Sequence, residues 1–527
     1  MDLNELGGYL IDALYSGLTG GSAELPLPQN MVINWIQPGL AFDESAFDFA
    51  IAGPFAGPSP LTLPYFRELV EAIQGSHGEG EAPMPREQAI EEAKRMYQQQ
   101  LLGSWEQWSR LVDFIPVMNP SAADTQRRTQ AGQGKYRHVS VVYGQAGQQL
   151  SRIYADTLKL CEVADDALTE QQKKLIERAK ALLQEEIEVE DFLTGEKKKE
   201  IRESRVMIAY KEKRTAYENA VIDYAVRLAR ANNGTSADMI EWSQSGGIYK
   251  QRANQALQDW KGTGYKEEVE LAQSTISHIL GSSMVLWKDK LNQDMENIQN
   301  NVQGVFGYPF FPATVLPGGF ARNQGWSRLS ERELHRKTRS SSTSRDWSAA
   351  AGLSLGFLNI GVAGGGSHRE SNFSFEQEQF GVEFDYTQVE IARPAFNANF
   401  FISRGWRPTH EFALNYGSDR HSDGQANPKG VMIGYPTKAL FIRNMTIYSS
   451  SLSRYLHTKQ DDIRGGGFVG WGPFNIGGTY SQSNKSSKSN LDIHGATITV
   501  KGLQLVGFVS ALFPYTANPS PDVKNWI

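Results

Sequence analysis

Few residues in this chain have the type and spacing to do chemistry. Gly465, Gly467 and Gly470 satisfy G-x-G-x-x-G, the spacing that lets a turn cradle a pyrophosphate at a helix N-terminus. Pro473 and an alternating stretch follow where the helix should begin, so no nucleotide is expected there. His421 and Asp423 lie in the turn-rich run HSDGQANPKG, and His410 adjoins Glu411. A cation at His421 and Asp423 would still lack the third ligand that a metal site normally needs. Cys161 is the single cysteine, so no intrachain disulfide forms. A thiol nucleophile needs a histidine, and His138, the nearest in sequence, has no evident placement beside it. Its spacing from Leu150, Ile153 and Thr157 fits one face of a helix and makes it a core residue. GxxxxGK[S/T], HExxH, GxSxG and CxxC do not occur. The expectation is a non-enzymatic chain with no cofactor and no metal.

The elements that position these residues fall into three regions of a 527-residue chain, more than one ordinary domain of about 150 residues. The content is 40% hydrophobic and 21% charged, as for a folded protein, and the net charge of -6 does not suit a general nucleic-acid binder. Residues 1–84 are proline-rich and read as an irregular segment wrapping the body, burying Trp35, Phe42, Phe47 and Phe55, with a small helix at PYFRELVEAI. Residues 85–305 read as a bundle of long antiparallel helices. Pro85 opens the first, with Ala89, Ile90, Ala93, Met96, Tyr97 and Leu101 at helical spacing. Others run through GQQLSRIYADTLKLCEVA, LIERAKALLQEEIEVEDFL and the face Tyr217, Ala220, Val221, Tyr224, Leu228, with TGEKKKE as a turn. Breaks are expected at SGG and KGTG. The acidic run EEIEVED is assigned to a solvated helical face.

Residues 306–527 change to glycine, serine and period-two alternation and read as β. The fold class is therefore α+β and multidomain: a helical bundle followed by a duplicated, Gly/Ser-rich antiparallel β region with sandwich-like sheets. The duplication rests on a shift of 116 residues that carries Asp346 to Asp462, Gly356 to Gly472 and Asn359-Ile360-Gly361 to Asn475-Ile476-Gly477. Two modules follow, about 310–402 and 434–515. In each, a strand enters, a turn sits at Leu358-Asn359 or Phe474-Asn475, and a Gly/Ser-rich strand returns before a longer strand, GVEFDYTQVEIARP or ATITVKGLQLVGFVSALFP.

The hairpins carry the functional expectation. Trp347, Leu353, Leu355 and Phe357 share one face of the entering strand, and Leu358, Ile360 and Val362 begin its return. Val469, Trp471, Phe474 and Ile476 hold the corresponding places in the second copy. Segments of about ten residues with one apolar face match what a membrane-spanning strand needs. In composition they resemble the inserting hairpins of β-pore-forming toxins, although no motif specific to such a family is present. Small residues equally suit close contact with another sheet or another copy. Arg328, Arg332, Arg336, Lys337, Arg339 and Arg345 lead into the first hairpin and could meet an anionic lipid surface, with Trp326 at the interface.

The expected function is an assembly or membrane-interacting protein that oligomerises through these hairpins. One alternative is a pore former. Another is a ligand- or carbohydrate-binding module using aromatics near Trp406, Tyr416 and Tyr435. The expected partner is a second copy of the chain, with no nucleic acid. The N-terminus lacks a basic secretory leader and no run of about 18 apolar residues occurs. Synthesis in the cytoplasm is expected, with any export by a route that does not use such a leader.

Overall fold

The longest alternating runs lie near the C-terminus, and there the chain forms its longest strands. The computed structural model describes residues 10–11, 14–15, 30–54, 62–75, 84–118, 139–141, 148–165, 170–190, 197–217, 220, 236–280, 283–298, 310–323, 325–330, 358–362, 366–370, 381–425, 428–460, 463, 467–478 and 491–527. It is a mixed α+β protein that divides into two units: Met1–Glu162 with Leu291–Ser520, and Val163–Lys290 with Pro521–Ile527.

The first unit is built on one mostly antiparallel sheet. Its strands are β1 (Met31–Phe42), β2 (Val139–Val141), β6 (Thr314–Leu316), β7 (Ser327–Leu329), β10 (Gly381–Ala392), β12 (Gly434–Tyr448), β15 (Leu491–His494) and β16 (Thr497–Leu512). The order is β2-β1-β16-β12-β10-β6, with β7 also on β10 and β15 also on β16. Both faces are covered, which is why runs such as LQLVGFVSAL are nearly continuous in apolar residues. Along β12 successive residues divide between the faces: Leu440 and Ile442 join one core, Ala439 and Phe441 the other.

Helices α1 (Leu63–Gly75) and α2 (Arg86–Leu111) cover the second face. Pro85 stands immediately before α2, as expected. Ala89, Ala93, Tyr97, Leu101, Trp105 and Trp108 are its buried stripe, in one cluster with Phe441, Leu505 and Phe508. Each fully buried side chain of Leu or Phe size stabilises by roughly 1.5–3 kcal/mol. This helix therefore belongs with the sheet, and the helices of the region expected as one bundle are divided between the two units.

The segment expected to be irregular contains β1, a full strand of the sheet in which Trp35 is completely buried. Pro38 is tolerated because the register with β16 breaks between Trp35 and Leu40, where no ladder donor is required. Phe47 is buried, Phe42 is partly buried, and Phe55 lies outside the described residues.

Four further readings need correction. Helix α3 (Leu150–Lys159) stops before Cys161, which opens the short β3 (Cys161–Val163). The thiol is buried there and contacts the Leu158 carbonyl. In the second unit, α4 (Glu170–Leu183) gives way to β4 (Gln184–Glu190), so the acidic run is largely strand. It pairs with β5 (Lys197–Glu203), which takes in most of the stretch expected to be a turn. Helix α5 (Ser236–Gly262) runs straight through SGG, whereas KGTG does end it before α6 (Lys266–Leu280). The second unit's core joins Tyr210, Trp260 and Val269, with Tyr217 stacked on Trp260 at 5.6 Å.

Candidate functional site

A second sheet packs on the face of the main sheet away from α1 and α2. Its strands are β8 (Leu358–Val362), β9 (Gly366–Glu370), β13 (Phe468–Trp471) and β14 (Phe474–Gly478), in the order β14-β13-β8-β9. In the second copy the turn is Gly472-Pro473, two residues earlier than expected, because Gly472 supplies the positive φ of 53°. Leu358 and Asn359, expected at a turn, are strand residues. Ile360 and His368, expected on one strand, face each other across β8 and β9. The returning segment is thus two strands of 5 residues each, well short of the span of about 9–11 residues that a bilayer requires.

The apolar face of these hairpins is inside the chain. Leu358, Ile360, Val469, Trp471, Phe474 and Ile476 are each at most 2% exposed. All but Ile360 belong to one core with Ile33, Trp35, Leu440, Ile442 and Val506 of the main sheet. Val362 stands opposite Gly366 at the end of β8. The glycines let two backbones touch. A Cβ on Gly470 would lie 2.6 Å from the Cβ of Pro38, and one on Gly39 would lie 2.4 Å from the Pro473 oxygen. The Gly39 N–H donates to that same oxygen at 3.0 Å.

An amide clamp closes one edge of this sheet. The Asn475 N–H donates to Gln504 Oε1 at 3.0 Å, and Gln504 Nε2 donates to the Asn475 carbonyl at 2.9 Å. A single buried side chain thereby takes the place of a neighbouring strand at one residue of β14. Sequence reasoning did not single out Gln504 for this role, although a lone amide in an apolar run is a signal. Gln388, matched to it by the 116-residue shift, is exposed. The register inside the sheet is informative. Gly470 faces Asn475 on one side and Asn359 on the other. On the far side of β9 no strand pairs among the described residues.

Arg328 lies on β7, where its guanidinium donates to Glu383 at 2.6 Å and stands 4.0 Å from Asp385. Trp326 donates to the Phe320 carbonyl and carries the Arg443 guanidinium 4.3 Å above its ring. Trp347, Leu353, Leu355, Phe357, Arg332, Arg336, Lys337, Arg339 and Arg345 lie outside the described residues.

His421 is not a cation ligand. It is fully buried among Phe401, Trp406 and Phe412, with its ring stacked on Phe412 at 5.2 Å. Thr157 spends its one hydroxyl proton on the Ile153 carbonyl, so His421 Nε2 must carry the proton it shares with Thr157 Oγ1 at 2.8 Å. Burial pushes its pKa down to about 3, which leaves the ring neutral. Asp423 instead orders its own loop, accepting from the N–H groups of Gln425 and Lys429. His410 and Glu411 stand exposed at the start of a short helix, His410–Tyr416. No group of three potential metal ligands occurs among the described residues. Trp406, considered as an exposed binding aromatic, is completely buried; Tyr416 is engaged with Asp156, and Tyr435 packs on Phe396 and Phe513.

Sequence reasoning also missed a buried charged cluster. Asp113, just beyond α2, accepts from the N–H and hydroxyl of Ser151 in the first turn of α3, at 2.8 and 2.5 Å. Arg393, just beyond β10, donates to the carbonyls of Pro436 and Val112 at 2.6 and 2.7 Å. Burial raises the Asp113 pKa to about 6, against the opposing pull of the Ser151 hydrogen bonds, Arg393 and Arg110. Burial lowers the Arg393 pKa to about 10, against the opposing pull of Asp113 and Tyr435. The hydrogen bonds made here link separate segments of the chain, as a fastening does, while Arg393 Nε is buried without a partner among the described residues.

No family model matches the chain, nor does any curated protein or solved structure.

Proposed function

We propose that this chain is a non-enzymatic assembly protein whose glycine-rich hairpin sheet associates with another copy by strand pairing at the edge of β9. One observation carries the reading: β13 is flanked on both sides by an Asn-Ile-Gly strand, one from each hairpin, with Gly470 opposite Asn475 and Asn359 alike. Edge pairing between the hairpins is thus already made once within the chain. The apolar face is covered, which leaves the hydrogen-bonding edge as the element suited to a further strand.

The related reading, that 310–402 and 434–515 are duplicated modules, has support beyond the hairpins. The pair Phe384 and Leu329 on β10 and β7 becomes Val500 and Met445 under the shift of 116 residues, and those residues are partners on β16 and β12. Strands β10 and β16 also begin at corresponding positions, Gly381 and Thr497.

The test is sedimentation velocity of the full chain in high salt, with Ser367→Pro and His368→Pro variants. N–H groups of adjacent strand residues point to opposite sides, so one variant removes a donor shared with β8 and the other a donor on the open edge. The first should be destabilised. The second should unfold like the wild type yet lose concentration-dependent association. A wild type that stays monomeric, or variants that both associate normally, would refute the proposal.

A further inference from the structure

The acidic run and the basic stretch that follows it form a ribbon in the second unit. β4 reads QEEIEVE and β5 reads KKKEIRE, antiparallel, with Glu190 opposite Lys197, Glu188 opposite Lys199 and Glu185 opposite Arg202. Among the described residues these two strands form a sheet of their own, with no third strand on either side. An isolated two-stranded ribbon is marginal in water. The base of this one is fastened, since Ser204 donates from its N–H to the Leu183 carbonyl and from its hydroxyl to the Leu182 carbonyl. Its two outer edges remain.

Those edges differ in sign. β4 carries Glu185, Glu186, Glu188 and Glu190 and no cation; β5 carries Lys197, Lys198, Lys199 and Arg202 against Glu200 and Glu203. Charge on an open edge ordinarily blocks pairing with a like edge. Two acidic edges repel, and so do two edges with a net positive charge. Any two-fold dimer made by edge pairing brings like edges together, so it is disfavoured. An acidic edge beside a basic edge instead repeats the pairing already present within the ribbon.

We propose that the ribbon is a head-to-tail association element, in which β4 of one copy pairs with β5 of the next. Such a contact is heterologous, so successive copies turn about a common axis and close into a ring when the rotation permits. It adds a second contact to the assembly reading above, carried by different residues in a different unit. The two contacts respond differently to salt. Backbone pairing at β9 persists in high salt, whereas the ribbon contact weakens as the Debye length falls from about 8 Å at physiological salt to about 3 Å at 1 M.

The experiment exchanges charges on both strands at once: Glu188→Lys, Glu190→Lys, Lys197→Glu and Lys199→Glu in one full-length chain. Opposite charges remain opposite inside the ribbon, so it still folds. Copies of this variant should associate with one another as the wild type does at physiological salt. Mixed with wild type, with both chains also carrying the open-edge proline that blocks the β9 contact, they should not co-assemble, because two opposite-charge pairs become two like-charge pairs at every mixed contact; the expected loss is about tenfold or more. Fluorescence transfer between differently labelled chains reads this directly, and far-ultraviolet circular dichroism checks the fold. Free mixing of the two chains would overturn the proposal, as would association at physiological salt that 1 M salt leaves unchanged. Separation of the two chains alongside an open-edge proline variant that still associates in high salt would uphold the ribbon and refute only the β9 contact.

Discussion

Replacing Asp113 by asparagine should flatten the dependence of stability on pH between mild acid and neutrality. The side chain is 3% exposed, and its pKa rises from 3.8 to about 6, chiefly through burial. One pKa unit corresponds to about 1.4 kcal/mol, so the difference from the unfolded chain amounts to roughly 3 kcal/mol. The sign follows from which state holds the proton more tightly. A folded pKa above the unfolded one means that the fold favours the protonated carboxyl. The contribution is complete below the unfolded value of 3.8 and is lost as the pH rises through about 6. This is the reverse of an ordinary ion-paired aspartate, whose contribution is lost on acidification. Arg393 and Arg110 both pull against the shift, and Ser151 holds the carboxylate, yet desolvation outweighs them.

Asparagine keeps the shape and an oxygen for the Ser151 N–H while removing the titration. The assay is denaturant unfolding of both proteins at intervals from about pH 4.5 to 7.5, followed by tryptophan fluorescence, and the quantity is the difference between the two curves. Other carboxyl groups titrate in both proteins and cancel. Over this window the wild type should lose about 2 kcal/mol relative to the asparagine variant, the remainder of the roughly 3 kcal/mol lying below pH 4.5. Parallel curves would refute the reasoning and would mean that Arg393 compensates the buried carboxylate in full.

Other substitutions test the sheet contact. Gly39→Ala drives a Cβ to 2.4 Å from the Pro473 oxygen and 3.1 Å from that of Leu505, both backbone atoms, and should cost about 1–3 kcal/mol or more in thermal or denaturant unfolding. Gly103→Ala, in the middle of α2 with nothing within 4 Å of the new methyl, should instead stabilise by up to about 1 kcal/mol. Gln504→Leu strips the Asn475 N–H and carbonyl of their partner and should destabilise by about 2 kcal/mol or more in urea unfolding. Gln388→Leu, at the exposed matched position, should change stability by less than about 0.5 kcal/mol.

Period-two alternation made β10, β12 and β16 readable from composition, because each is long and presents apolar residues to a covered face. The same period was hidden in EEIEVED, where Ile187 and Val189 are the only apolar residues and dense charge looked like a solvated helix. SGG is a breaker by propensity, yet the helix runs through it, and Gly246 leaves room for the indole one turn earlier, since a Cβ there would meet the Trp242 ring at 2.8 Å. His421 and Asp423 in a turn-rich loop offer two of the three ligands a metal site needs, and nothing local reveals the three aromatic rings brought to His421 from positions 401, 406 and 412.

The hairpins show most clearly where reading along the chain stops. Their glycine content suits lipid insertion, contact with a second copy, or contact with the chain itself, and composition alone does not choose among them. The choice depends on what a Cβ would strike. At Gly470 that is Pro38, and the nearest register partners of Gly470 are Asn475 and, more than a hundred residues earlier, Asn359. No local pattern encodes that second partner, since pairing over such a separation depends on which strand edges remain after the local hairpins close. Once β13 lies between two equivalent strands, the apolar residues are already covered. On the proposed reading, what the sheet offers a second copy is its hydrogen-bonding edge, to which a further strand can add.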